Sequence, residues 1–440
     1  MEMEAIGELA LHMVMEKLGP KNVGRVACVS RKLRDCAAEE TLWSKFCLEE
    51  LGISSPVGPG GDPTPSFKVA YQEWRESFEM YPWPLVLRVK RCWDKLSDWL
   101  SKNFPEAEAT LRKGASEAEL KEAETVLQVK LPLPTRVLYR FHDGQDSVDD
   151  PKSSFGRTIG IIGGYSFYHH VVNVKLLPLE EVILKTHHIR KHLGGFSRSR
   201  CIVVATSCTT GEKLFFINCR DGQLHVGTIN FPTEAEMMPC VPSELLRLTP
   251  DSAGHMQDAM LLWLEEHVRR LEMGIIKPRG QGKFKSICQY PEESPLCSTA
   301  ITHGVRVRGS AVFVPEFSDP NDDTEQCQFA YSIRMSLLPE GCTVSRPPFN
   351  SCQLNWRYWT IRSGDAVVSD FNGEAVIGQF PLLHAGGEEF VYESCAYLPS
   401  GIGSIEGSFT FIPGRLVEPK GGPFSAQVAQ FPFRRPDYIF

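Results

Sequence analysis

Residues 302–318 read THGVRVRGSAVFVPEFS, and in this run Val305, Val307, Ala311 and Phe313 alternate with polar or small residues. A period of two marks a strand with one buried face. The same period recurs downstream at Phe329, Tyr331, Ile333 and Met335, then at Leu354, Trp356 and Tyr358. Phe390 with Tyr392 and Phe409 with Phe411 continue it, and turn residues separate the runs. Several short alternating strands divided by turns predict an all-β sandwich over 299–440.

Upstream of that domain the pattern changes. Residues 276–298 carry charge, Gly and Pro, and read as a linker. Residues 85–275 mix helical and strand signals. Leu96, Trp99 and Leu100 fall on one helix face, and Ser116 with Glu119 has capping-box spacing. Leu120, Ala123 and Leu127 line the helix that follows. Leu131-Pro132 ends it, and Pro134 begins another through Val137, Leu138 and Phe141. Strands are expected at 201–206, 214–218 and 224–228, with Asp221-Gly222 as the turn between the last two. A long amphipathic helix runs over 255–272 through Met256, Met260, Leu264 and Val268. Residues 51–84 hold the Pro/Gly-rich stretch GISSPVGPGGDPTPS (52–66), expected as a linker, and a connecting helix with Tyr71, Trp74 and Phe78. Residues 1–50 read as compact helices. Ile6, Leu9, Ala10, Met13 and Leu18 lie at helical spacing, Gly19-Pro20 stops the first helix, and Trp43 and Phe46 close the unit. Fifty residues bury little surface alone, so this unit should lean on a partner or on its neighbour.

At 440 residues the chain is long enough for several domains, and 42% hydrophobic residues supply their cores. A net charge of -7 gives no sign of nucleic-acid binding. Arg306 and Arg308 fall on one strand face, expected to be solvated. No run of apolar residues is long enough for a membrane span, and the N-terminus lacks the basic-then-apolar pattern of a secretory signal. The 14 cysteines are dispersed, without zinc spacing, which suits a reduced cytoplasmic or nuclear protein.

Three segments resemble known families. Ile6 to Phe46, IGELALHMVMEKLGPKNVGRVACVSRKLRDCAAEETLWSKF, resembles an F-box: Leu18 and Pro20 match its turn, and Leu42-Trp43 its close. Ile6-Gly7 stands where Leu-Pro is usual, and Leu33 where Trp is common. The resemblance implies binding to a SKP1-type adaptor and, through it, cullin-1, centred on Ile6, Leu9, Leu18, Pro20, Leu42 and Trp43. Residues 119–146, ELKEAETVLQVKLPLPTRVLYRFHDGQD, resemble the opening of a SMI1/KNR4 domain, a mixed α/β binding module without a common active site. Residues 299–439 are similar to ApaG proteins, through the opening at 302–318, WRYWTI (356–361), GEAVIGQFPLLHAGGEEFVY (373–392) and GSIEGSFTF (403–411). The fold this implies is a fibronectin-III-like sandwich. Of the family's Gly-x-Gly-x-x-Gly, Gly373 and Gly378 are kept and Ala375 replaces the middle glycine. The order of the three resembles the plant SKP1-interacting partner proteins and the animal F-box only proteins that carry an ApaG domain.

These readings imply the substrate-recognition subunit of an SCF E3 ubiquitin ligase, non-catalytic and without a cofactor. It would hold the adaptor with its first helices and an unidentified target protein with its later domains. Two alternatives stand beside it: a scaffold outside any ligase, and an ApaG-like domain that acts on or senses a phosphorylated small molecule. The last would use the loop at Gly373 and Gly378, but a phosphate cradle needs a helix start after the glycines, and strand-like residues follow instead. Paired histidines at 169–170 and 187–188 lack a third ligand, so no metal is expected. No serine sits in a nucleophile elbow. Trp356, Tyr358 and Trp359 cannot all be buried by alternation, so at least one is expected at the surface as a candidate partner-binding residue.

Overall fold

The computed structural model describes residues 8–146, 159–168, 170–192, 200–207, 213–228, 237–246, 257–281, 284–318 and 327–439. The chain opens with α1 (Glu8–Val26), α2 (Arg31–Cys36) and α3 (Glu40–Phe46). α1 bends at Gly19, whose φ of 73° and ψ of 164° only glycine adopts readily. Pro20 then restarts the helix, its preset φ suited to a first turn. The Ser30 hydroxyl caps α2 by accepting from the Leu33 N–H at 3.3 Å. Leu11, Met15, Val23, Leu33, Leu42 and Phe46 bury the centre of this unit.

Next come α4 (Phe67–Ser77) and α5 (Trp83–Asn103). The Trp43 ring lies 5.5 Å from Tyr71, and Tyr71 lies 6.2 Å from Trp83. The Glu50 carboxylate accepts from the Tyr71 hydroxyl at 2.7 Å and the Trp83 indole at 3.1 Å. The first helices are thus packed onto the connecting helices. Residues 52–66, expected as a linker, form a folded loop: Gly58 N–H donates to Asp62 O at 2.9 Å, and the Trp74 indole donates to Val57 O at 3.1 Å.

The middle region holds α6 (Pro105–Glu108), α7 (Glu117–Leu127), α8 (Leu133–Phe141), β1 (Gly163–Phe167), β2 (His170–Leu176), α9 (Leu179–His192), β3 (Cys201–Ser207), β4 (Leu214–Asn218), β5 (Leu224–Gly227), β6 (Met238–Pro239), α10 (Ser243–Leu246) and α11 (Ala259–Glu272). β7 (Lys277–Gln281) and β8 (Phe284–Cys288) complete its eight-stranded sheet, ordered β6-β5-β4-β3-β2-β1-β8-β7. The expected linker 276–298 therefore contains a hairpin of this sheet. Two of its charged residues, Arg279 and Glu292, bond across to the next domain, while Lys285 donates to Asn103 O at 2.6 Å. The capping box of Ser116 and Glu119 is present at α7. Asp258 caps α11 and accepts from the Thr135 N–H and hydroxyl at 2.8 and 2.6 Å, which ties α8 to α11. Met256, placed by the sequence at the start of α11, lies outside the described residues.

The last region is all β: β9 (Cys297–Thr302), β10 (Val305–Phe313), β11 (Cys327–Leu337), β12 (Ser351–Ser363), β13 (Ala366–Glu374), β14 (Leu382–His384), β15 (Phe390–Leu398), β16 (Ile402–Arg415), β17 (Glu418–Pro419) and β18 (Phe424–Arg434). One sheet runs β15-β11-β10-β9. The other runs β13-β12-β16-β17, with β14 added on β12 and β18 on β16. Every pair in both sheets is antiparallel. Between them lie Tyr331 and Trp359 at 6.2 Å, Trp359 and Phe409 at 5.4 Å, and Phe329 and Phe433 at 5.1 Å. Side chains join the sheets along one side, where Ser298 Oγ donates to Ala429 O at 2.7 Å and Gln427 N–H donates to Thr302 Oγ1 at 3.1 Å.

Candidate functional site

α1 is apolar on two sides. Leu11 and Met15, one turn apart, face the helices of its own unit and are buried. On the other side Leu9, Ala10, Met13 and Val14 are exposed, Leu9 to 78%. A helix apolar all round is normally buried all round. Val29 and Cys28, in the turn after α1, are also exposed. His12 lies 3.4 Å from Glu16 and 2.8 Å from Glu39, and Lys45 pairs with Glu16 at 2.7 Å.

The six residues expected to hold an adaptor fall into different places. Ile6 lies outside the described residues. Leu9 is exposed, and Leu18 and Pro20 are half-buried beside the Gly19 bend. Leu42 and Trp43 are turned inward. Trp43 is 4% exposed, and its indole donates to Ala37 O at 2.7 Å. Those two shape the surface from behind and do not present side chains to a partner, because the core takes its largest apolar groups first. Met13, named in the helical stripe but not among the six, and Val14 are exposed beside Leu9; Met13 lies one turn from Leu9 and Val14 one turn from Ala10.

The aromatic strand β12 splits likewise. Trp356 and Tyr358 are 37% and 39% exposed, whereas Trp359 is 1% exposed. Leu354 pairs with Phe411 and Trp356 with Thr410, so Asn355 is an extra residue in the strand. This bulge reverses the phase. Leu354 points in before it, and Trp359 and Ile361 point in after it. The Tyr358 hydroxyl donates to Asp370 at 3.0 Å.

Gly373 is the penultimate residue of β13, and Gly378 sits in a tight turn in which Val376 and Gln379 exchange backbone bonds of 3.0 and 2.8 Å. Ile377 and Gly378 have φ of 42° and 76°, which are the two positive values of a type I′ hairpin turn. The Ala375 N–H donates to Asn355 O at 3.2 Å. Arg357 donates to Glu374 O at 2.8 Å and also to Ala375 O. The segment leads into strand β14 and opens no helix, so it lacks the donor array of a phosphate cradle. Among the described residues no group of three His, Cys, Asp or Glu is placed to hold a metal ion, and no helix is long and apolar enough to cross a membrane.

A polar seam joins the middle and last domains, and no local sequence signal announced it. Glu316 is buried and accepts from the Tyr165 hydroxyl at 2.7 Å, with His170 Nε2 at 3.2 Å. Burial pushes its carboxyl up, but the Lys213 ammonium, His170 and Tyr165 together hold it below the ordinary range. Nearby, Glu292 meets Arg334 at 2.8 Å and Arg308 at 2.9 Å, and also pairs with Arg279. Arg308, expected on a solvated face, also pairs with Glu389 at 2.8 Å.

Known families match the first and last of the three segments, and known proteins match the chain as a whole. A family described as "F-box-like" matches residues 10–49, and one described as "ApaG domain" matches residues 317–413. F-box protein SKIP16 of Arabidopsis thaliana is 55% identical over 442 aligned positions, covering 100% of both chains. Human F-box only protein 3 is 23% identical over 93% of this chain and 79% of its own length. Protein ApaG of Bordetella pertussis is 37% identical over 27% of this chain and 78% of its own.

Proposed function

Because this chain belongs to the family of F-box proteins that end in an ApaG domain, we propose that it is the substrate-recognition subunit of an SCF E3 ubiquitin ligase. The observation that carries the reading is the second apolar face of α1. Its inner face is satisfied by the chain's own helices, and Leu9, Ala10, Met13 and Val14 remain for a SKP1-type adaptor to cover. The adaptor in turn joins cullin-1. The chain itself transfers no ubiquitin: it holds a target so that one of its lysines lies near a charged carrier enzyme, and rate comes from proximity. Leu18 and Pro20 set the bend at the edge of that face.

The later domains take the target protein. We read the middle domain as SMI1/KNR4-like and the last as a fibronectin-III-like sandwich whose exposed Trp356 and Tyr358 contribute to capture. The thirteen free cysteines among the described residues suit the cytoplasm or nucleus.

Calorimetry with purified SKP1-type adaptor tests the proposal. The full chain should bind, and Leu9→Asp with Met13→Asp should remove binding without moving the melting temperature, since both side chains are exposed. A folded parent that ignores the adaptor would leave a scaffold outside any ligase. A double variant that binds as the parent does would move the contact elsewhere.

A further inference from the structure

β13 is the last strand of its sheet, and it pairs with β12 alone. Its other edge is uncovered among the described residues. Sheet edges are usually guarded by lysine, proline, a covering segment or a bulge. β13 has a bulge at Val368, where the pairing steps from Ser369 to Val367, and this blunts only its first residues. From Ser369 to Glu374 the register is regular.

The side chains on that regular stretch have two characters. Asp370 and Glu374 lie on the face that carries Tyr358 and Trp356, their partners across β12 being Thr360 and Trp356. Phe371 lies on the other face, opposite Trp359, and is 36% exposed. Residues 363–379 contain no lysine or arginine and carry Asp365, Asp370 and Glu374. None of the three acids has an ion pair among the described residues. Of the cations on β12, Arg362 pairs with Glu406 at 3.3 Å, and Arg357 donates to the carbonyls of Glu374 and Ala375 at the end of β13 and lies 5.9 Å from the Phe371 ring centre, so neither neutralises the three carboxylates.

We propose that the edge of β13 captures the target by strand addition, taking an extended segment in which basic and apolar residues alternate. This rests on the receptor reading above and names its target class. Main-chain hydrogen bonds would continue the sheet, as in other strand-addition complexes. Successive side chains of an added strand point to opposite faces. One set then lies beside Asp370 and Glu374 and must be basic. The other lies beside Phe371 and must be apolar. A second copy of the chain does not fit, because two such edges would bring acid against acid.

The test titrates the full chain into a short, capped, fluorescein-labelled peptide of alternating lysine and valine, read by anisotropy. Saturable binding is expected, and Asp370→Asn with Glu374→Gln should weaken it roughly tenfold, the size of two exposed ion pairs. A strand offers alternate N–H groups to each edge. Methylating one alternate set of peptide nitrogens should therefore abolish binding, and methylating the other set should leave it. No binding, equal binding of both methylated peptides, or an unchanged affinity in the double variant would each overturn the proposal. Adaptor affinity is measured on the same samples. A chain that holds the adaptor but ignores the peptide loses only the edge; one that binds the peptide but no adaptor keeps the edge and loses the receptor reading.

Discussion

Glu292 lies 4% exposed among the guanidinium groups of Arg279, Arg308 and Arg334. Burial pushes its carboxyl up, but the three arginines, Arg279 foremost, outweigh it and hold the acid below the ordinary carboxylate range. The folded chain therefore binds this proton less readily than the unfolded chain. Its stabilisation is complete above the ordinary carboxylate range and is lost as pH falls through the lower folded value. Glu292→Gln should cost about 3–5 kcal/mol at neutral pH, since it leaves the buried Arg334 guanidinium without its counter-charge. It should also flatten the fall in melting temperature between about pH 5 and pH 3. Thermal melts of parent and variant across that range check both; parallel curves would mean that Glu292 does not titrate in acid unfolding. At the other end of the chain, Trp43 and Leu9 should separate stability from binding. Trp43→Ala removes a buried ring and should cost about 3–5 kcal/mol in denaturant unfolding. Leu9→Ala should stay within about 0.5 kcal/mol of the parent in the same assay, yet weaken the adaptor by about 1–3 kcal/mol in calorimetry.

Among the elements, β12 shows how one residue reassigns a whole face. With Asn355 in the bulge, Leu354 and Trp359 both point inward although they are five positions apart in a strand of period two. Removing Asn355 would put Leu354 and Trp359 four positions apart, so plain alternation would keep both inward and Trp356 and Tyr358 outside. The deletion should therefore keep every large apolar side chain on its face and cost less than about 3 kcal/mol in denaturant unfolding. A larger loss would show that the bulge itself is needed for the packing of the strand. α1 is the helical counterpart. Its stripe was legible from spacing, but Leu9 and Leu11 are both apolar, and periodicity alone does not say which of two apolar faces the chain covers for itself.

For the whole molecule, the chain of rings from Trp43 through Tyr71 to Trp83 joins the first helices to the rest. The Pro/Gly-rich loop between them is itself bonded, so the modular separation expected from its composition is replaced by one continuous core. A chain of residues 51–440 should therefore melt several degrees below the full protein, because Tyr71 and Trp83 lose their cover. Calorimetry of the two chains decides this; an unchanged transition would restore the independent unit.

The order of helical, mixed and all-β regions, the capping box of α7 and five strands of the last domain, β10, β11, β12, β15 and β16, were determined by the sequence alone. Each rests on short-range chemistry: a hydroxyl three residues from a carboxylate, or an apolar residue at every second position. Tertiary structure alone decided which polar residues meet water. β11 alternates as a half-solvated strand should, yet Gln328, Ser332 and Arg334 are as buried as Phe329 and Ile333. The middle domain covers that face: Arg279 of β7 donates to Ser332 at 3.0 Å, and Glu292 reaches Arg334. Such a seam is invisible along the chain, because its partners lie far apart in sequence and local pattern carries only the alternation. A polar residue on a strand reads the same whether a water molecule or a distant carboxylate will satisfy it, and only the folded chain brings that carboxylate within reach.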